Sequence, residues 1–553
     1  MIAILIDNKL QHFMNEIKFS FRYIFDNRGY AYRFINNIDE LKQNDIFIIY
    51  SPTEPDEKSV KDLAKKLITI FIICEMELYE RVSYNPERLR RNMRELKLLY
   101  PTQVITARPF NHAAENYIDS DTCGGKINID VVGNIYFHLS QAEQIMQPGA
   151  KGNERFIDEN SAFYPHRDSP AVDSMLWLIE SMLKEHARTQ RIPLAQKALW
   201  PKNESCALML CHSVENLQKW NASSLILSLV DNLGLLFTLK LQQLFHNLKG
   251  QMQYIFTNYE LYWNFEEYRR LEKENNCRSC FYLAVETGED IDYSLEDPDL
   301  QEEIQACLNE GCEIGLILSN DKLTRDEMLR QKQVMLHQLA RSDLGIKQYG
   351  YTWNLEIMEL QDKIEPKYSI STAFKEAPGF YNSCSFPYHP YINGKASYLI
   401  LPSVFRDNYL HINKRKLMTL DHAKSELKRY FQKVSKTTHG IFSLDFSLAA
   451  YHDIRYAQNL YSYFLALISS SNAWNATPLE IADWWEKRAR VTIQEGEYEI
   501  SVYFPDDLPS FALHIQGEQK VREIDGISAK IDGNTLHFNN VKAESVAVIR
   551  LVQ

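Results

Sequence analysis

Trp200-Pro201-Lys202-Asn203-Glu204-Ser205-Cys206-Ala207-Leu208-Met209-Leu210-Cys211-His212-Ser213-Val214-Glu215-Asn216-Leu217-Gln218-Lys219-Trp220 is the stretch whose reading decides the fold. Cys206 to Cys211 is apolar at every position, as a strand buried on both faces must be. The run stops abruptly at the polar residues His212, Ser213, Glu215 and Asn216. Polar groups at the carboxyl end of a buried strand mark where α/β proteins place their chemistry, because the strand is rigid and its end opens to solvent.

Outward from this stretch, apolar runs recur with helical stretches between them: Tyr254–Phe256, Phe281–Val285, Ile314–Leu318 and Tyr398–Leu401. That alternation predicts a parallel or distorted (β/α) barrel over residues 200–490. Residues 1–125 show short apolar runs at Ile2–Ile6, Ile46–Tyr50 and Ile68–Ile73, which predict a small N-terminal α/β domain. Within it, Arg88–Lys97 reads as a basic helix with a solvated face. Apolar residues at Met175, Leu176, Leu178, Ile179, Met182 and Leu183 predict a packed helix over 173–188. Residues 491–553 alternate apolar and polar positions between turns at Gly517, Gly526 and Gly533, which predicts a small antiparallel β-domain. Thr477-Pro478 opens a capped helix that carries Trp484 and Trp485.

The chain has 553 residues, too many for one core, so about two to four domains are expected. Its net charge of −12 argues against a nucleic-acid partner. No apolar run is long enough to span a membrane, and Met1–Asp7 reads as a first strand, not a signal peptide, so the cytoplasm is the expected compartment. The nine cysteines are an odd number, which suits scattered reduced thiols. Cys277-x-x-Cys280 lacks the second pair that a structural zinc site needs.

W-P, then His212-Ser213-Val214-Glu215-Asn216-Leu217, resembles the first strand of a bacterial polysaccharide-deacetylase branch within the carbohydrate esterase family 4 superfamily. That branch reads T-H-D-V-D-N-L here, and it folds as a NodB-like distorted barrel. Gly311-Cys312-Glu313-Ile314-Gly315-Leu316-Ile317-Leu318-Ser319 resembles its G-H-E-I-G-L-H-G-S motif. The segments Asp130–Gln144, Asn153–Phe156, Ser161–Phe163 and Pro170–Asp173 follow its pre-barrel region in the right order, which places a connecting segment at 126–199. Tyr349–Asn354 and Pro378–Tyr388 resemble two further motifs with their arginines gone. The resemblance implies an α/β architecture: a central deacetylase-like distorted barrel between an N-terminal α/β domain and a small C-terminal antiparallel β-domain.

The reactive groups that the resemblance implies are replaced one by one. A deacetylase of this kind uses a divalent metal such as zinc, an Asp base and a His acid. Here Ser213 stands for the base, and Glu215 for the metal-binding Asp, as the only surviving candidate ligand. Ile317 stands for a metal His and has no lone pair to give. Thr352 and Asn354 stand for Arg and His, and no His lies on the strand around Asp445. The vestigial pocket is therefore expected to hold His212, Ser213, Glu215, Ile317, Ser319, Thr352, Asn354 and Asp445, with no metal and no cofactor. The leading expectation is a non-catalytic homologue that binds a glycan or a partner protein of polysaccharide metabolism. The alternatives are an active metal-dependent carbohydrate deacetylase with a rebuilt site, and a structural or assembly protein. The sequence leaves the oligomeric state open.

Overall fold

The computed structural model describes the chain except 54–67, 81–93, 98–103, 108–117, 122–123, 147–157, most of 219–260, 288–290, 319–323, 352–353, 414–415 and the single positions 393, 518 and 553. The strand expected at Tyr254–Phe256 lies outside the described residues.

The N-terminal sheet runs in the order Tyr32–Ile35, Ile2–Ile6, Ile46–Ser51, Ile68–Ile73, Gly124–Ile127, Ile118–Asp121. All its pairs are parallel except the last. Helix Met14–Arg28 buries Ile17, Phe21, Ile24 and Phe25 and ends on Gly29, whose φ of 77° few other residues tolerate. One expectation is corrected here. Of the basic helix foreseen at Arg88–Lys97, Arg94–Lys97 is a strand paired antiparallel with Val104–Ala107, and the earlier residues lie outside the described set. Short-range basic patterning carries no information about such a pairing.

The central sheet holds eight strands in chain order: β1 Cys206–Val214, β2 Ser279–Ala284, β3 Glu313–Leu318, β4 Gly345–Gln348, β5 Tyr368–Ser369, β6 Leu399–Ile400, β7 Phe405–Arg406 and β8 Ile441–Asp445. Each pairs in parallel with the next, except β6 with β7, and β8 returns to pair with β1. The two ends of this path, β6 and β7, are joined by residues 401–404 alone. Such a link reaches at most about 18 Å, whereas a flat sheet of this size would be about 34 Å wide. The sheet must therefore curl into a barrel with one seam. A ninth strand, Ala473–Asn475, pairs with the start of β1.

Alternation along the strands sends every second side chain into the barrel. Cys211 and Ser213 of β1, Glu313, Gly315 and Ile317 of β3, Gly345 and Lys347 of β4, and Asp445 of β8 fall on that inner face. Gly345 and Gly315 leave room for large rings. A Cβ on Gly345 would lie 1.9 Å from the Tyr368 ring, and one on Gly315 would lie 2.5 Å from the Tyr282 ring. The two tyrosine hydroxyls meet at 2.8 Å, and Tyr368 donates to the buried Glu313 at 2.5 Å. Above this polar floor lies the mouth of the barrel.

Behind the barrel, helix Pro478–Arg490 starts with the expected cap, as Thr477 and Glu480 form a reciprocal capping box. The C-terminal strands form two antiparallel sheets. One of them includes the strand Leu194–Lys197, paired with Leu508–Gln516. The α/β architecture with a curled central barrel, an N-terminal α/β sheet and C-terminal antiparallel strands is the one expected from the sequence.

Candidate functional site

β1 runs three residues further than its apolar run, through His212, Ser213 and Val214. The polar residues stay in the strand because each finds a buried partner, so no free polar group is trapped. Ser213 and Asp445, at the ends of neighbouring strands, lie 3.2 Å apart, oxygen to oxygen. Between them comes Lys347 from β4. Its ammonium donates to Ser213 and, at 2.6 Å, to Asp445. Tyr351 donates to the same carboxylate at 2.6 Å. Lys347 and Asp445 are almost fully buried, with side chains 2% and 6% exposed.

Arg406 of β7 closes the group. Its guanidinium lies 3.8 Å from the centre of the Tyr351 ring, and its Nε is 3.8 Å from Asp445. Burial alone would push the Asp445 carboxyl up, but Lys347, Arg406 and the hydrogen bonds from Lys347 and Tyr351 bring it below its ordinary value. Glu215, half-buried just past β1, behaves the other way. Burial raises its carboxyl against the pull of Lys347 and Arg406. Tyr351 is held at φ 53°, a left-handed backbone that a bulky residue adopts at a cost of roughly 1–3 kcal/mol. Its ring and hydroxyl are what that strained turn delivers to the pocket.

The residues singled out from sequence distribute unevenly. Ser213, Asp445 and Glu215 share the barrel mouth with Lys347. Ile317 is buried on the inner face of β3. His212 points to the opposite side of β1. Its Nδ1 lies 2.8 Å from the Phe446 carbonyl, and its Nε2 lies 2.7 Å from Glu272, which also takes hydrogen bonds from Tyr461 and Ser279. Both ring nitrogens are spent on acceptors, so this histidine is a strut between β1 and helix Phe265–Glu274. Asn354 caps helix Leu355–Ile364 by accepting from the Ile357 amide at 2.8 Å. Ser319 and Thr352 lie outside the described residues.

Lys347, Tyr351 and Arg406 were not foreseen. The one clue was indirect: Asp445, a carboxylate on a buried strand, requires a cation nearby. Nothing in Gly345-Ile346-Lys347-Gln348 says that this lysine is that cation.

These residues do not suit a divalent ion. Ser213 is occupied by an ammonium donor, Ile317 has no donor atom, and Lys347 places a positive charge among the carboxylates that would have to hold the ion. Among the described residues, no group of three or more His, Cys, Asp or Glu side chains is arranged to hold a metal ion. The eight cysteines described, Cys277 and Cys280 included, are free and buried. What the arrangement offers chemically is a polar, mixed-charge floor that includes the buried Tyr351, with Glu215 and Arg406 partly exposed at its rim.

Residues 4–188 match the model of a family of unknown function (DUF7033). No curated protein matches the chain. Among solved structures, a protein of Mycobacterium smegmatis assigned as a polysaccharide deacetylase is similar at 14% identity, over 54% of this chain and 96% of its own, with a TM-score of 0.36. One from Pseudomonas aeruginosa PAO1 with the same assignment is similar at 12% identity, over 52% and 94%, with a TM-score of 0.36. Puue allantoinase is similar at 13% identity, over 52% and 93%, with the same score. Among the described residues, no helix is long and apolar enough to cross a membrane.

Proposed function

We propose that this chain is a polysaccharide-deacetylase homologue in which an internal ion pair stands where metal chemistry would be, and that it holds a glycan or a partner protein of polysaccharide metabolism without hydrolysing it. The observation that carries this reading is the Lys347–Asp445 pair at 2.6 Å with Ser213 bound to the same ammonium. Metal-assisted hydrolysis needs an ion, a base and an acid together. The ammonium occupies the lone pairs that would grip the ion, and a serine hydroxyl is too weak a base to take a proton from water near neutral pH. The remaining polar groups, with the partly exposed Glu215 and Arg406 at the rim, suit recognition of a hydroxylated ligand. On the same reading, residues 1–125, 126–199, 200–490 and 491–553 are the N-terminal domain, the connecting segment, the barrel and the C-terminal β-domain.

The test is metal analysis of the purified protein with an assay of acetate release from N-acetylated oligosaccharides. Expected are no stoichiometric zinc and no acetate, with glycan binding weakened by Arg406→Ala. Zinc bound one to one, lost on Glu215→Gln, with acetate released, would overturn the reading in favour of an active carbohydrate deacetylase.

A further inference from the structure

A cleft of about 500 Å³ opens at the other end of the barrel, where the N-terminal, barrel and C-terminal parts meet. Trp177 and Lys184 reach it from helix Ala171–Thr189, Glu204 from just before β1, and Lys436 from just before β8. His514 and Gln516 reach it from the strand Leu508–Gln516. It therefore shares no residue with the barrel mouth.

The charge in this cleft is unbalanced. Glu180 is already matched twice, by Arg28 at 3.2 Å and Lys184 at 2.6 Å, and Gln196 donates to it at 2.7 Å. Asp173 accepts from the Ser385 amide at 3.1 Å. Burial pushes the Glu204 carboxyl up to about 7 and the Lys197 ammonium, also in the lining, down to about 7, so each carries about half its charge at neutral pH. Lys436 is exposed, and no ion pair engages it among the described residues. Two buried polar atoms in the lining, Arg28 Nε and Glu204 Oε2, have no hydrogen-bond partner. Orphaned polar atoms of this kind are rare unless something else supplies the partner. Trp177 is half-buried and offers an apolar ring among these donors and acceptors.

We infer that this cleft binds an acidic saccharide: a ring that stacks on Trp177, hydroxyls that bond Gln516, His514 and Glu204, and an anionic substituent that meets Lys436 and Lys184. The volume lies within the range of small-ligand sites, about 300–1,000 Å³. A local excess of positive charge in a chain of net charge −12 selects the anion against the background of the whole molecule. Because the cleft lies at the amino-terminal end of the strands, failure here would leave the barrel-mouth reading untouched.

The experiment is calorimetric titration of the full chain with trigalacturonate, maltotriose and inorganic phosphate. Trigalacturonate is expected to bind, at least tenfold more tightly than maltotriose. Lys436→Glu, on an exposed residue, and Trp177→Ala, with its melting checked, should each weaken that binding at least tenfold, and Lys363→Glu, exposed and outside the cleft, should leave it unchanged. Equal binding of maltotriose would overturn the acidic assignment. Binding of phosphate with an affinity matching trigalacturonate, unaffected by Trp177→Ala, would overturn the saccharide. Absence of trigalacturonate binding, or binding indifferent to Lys436→Glu, would overturn the site.

Discussion

A buried ammonium and a buried carboxylate are each costly alone, so Lys347 and Asp445 stand or fall together. Lys347→Met should destabilise the protein by about 3–5 kcal/mol in urea unfolding, since it strands a charge. Lys347→Met combined with Asp445→Leu should recover most of that loss. Glu313 gives a different test. Burial raises its carboxyl from 4.5 to about 7, against hydrogen bonds from Tyr368 and the Leu479 amide. The folded state then holds this proton more tightly than the unfolded state, so stability falls as pH rises from 4.5 to about 7. Glu313→Gln should remove that part of the slope, up to about 3 kcal/mol, when melting is followed against pH. Asp445 runs the other way: its stabilisation is present above its ordinary value of 3.8 and is lost on acidification below it. Ser213, Glu215 and Asp445 could be picked from the sequence because they break a motif at known places. Lys347 could not, because a lysine in a four-residue strand looks like a surface residue until the strand is known to line a barrel.

Among the elements, β1 was legible because both its faces are apolar, yet its end was not. The chain turns polar at His212, and only Glu272 and Asp445, distant in sequence, explain why the strand continues to Val214. The short strands β4, β5 and β7 left no trace in hydrophobic periodicity, since runs of two to four residues are too brief to show a period. The C-terminal strands were easier. Their alternating pattern reflects one buried and one wet face, as in Glu499–Phe504. The helix Pro478–Arg490 announced itself through local chemistry, and its cap can be removed cleanly. Thr477→Ala should cost about 1 kcal/mol of stability by thermal unfolding, because it leaves the Glu480 amide without its side-chain acceptor.

For the molecule as a whole, Arg488 is an internal link between three segments. It is buried and donates to the carbonyls of Ala198 at 2.6 Å, Asp26 at 2.8 Å and Asn27 at 3.0 Å, so one side chain ties the last barrel helix to the N-terminal helix and to the approach to β1. Arg488→Met should lower stability by about 3 kcal/mol or more, since several buried carbonyls lose their donor at once. Limited proteolysis should then release the N-terminal part first. The strand Leu194–Lys197 makes a complementary join. Gln196 bridges to Tyr30 on one side and pairs with His514 on the other. A gene rearrangement that parted the N-terminal stretch from the C-terminal strands would leave both edges of Leu194–Lys197 open.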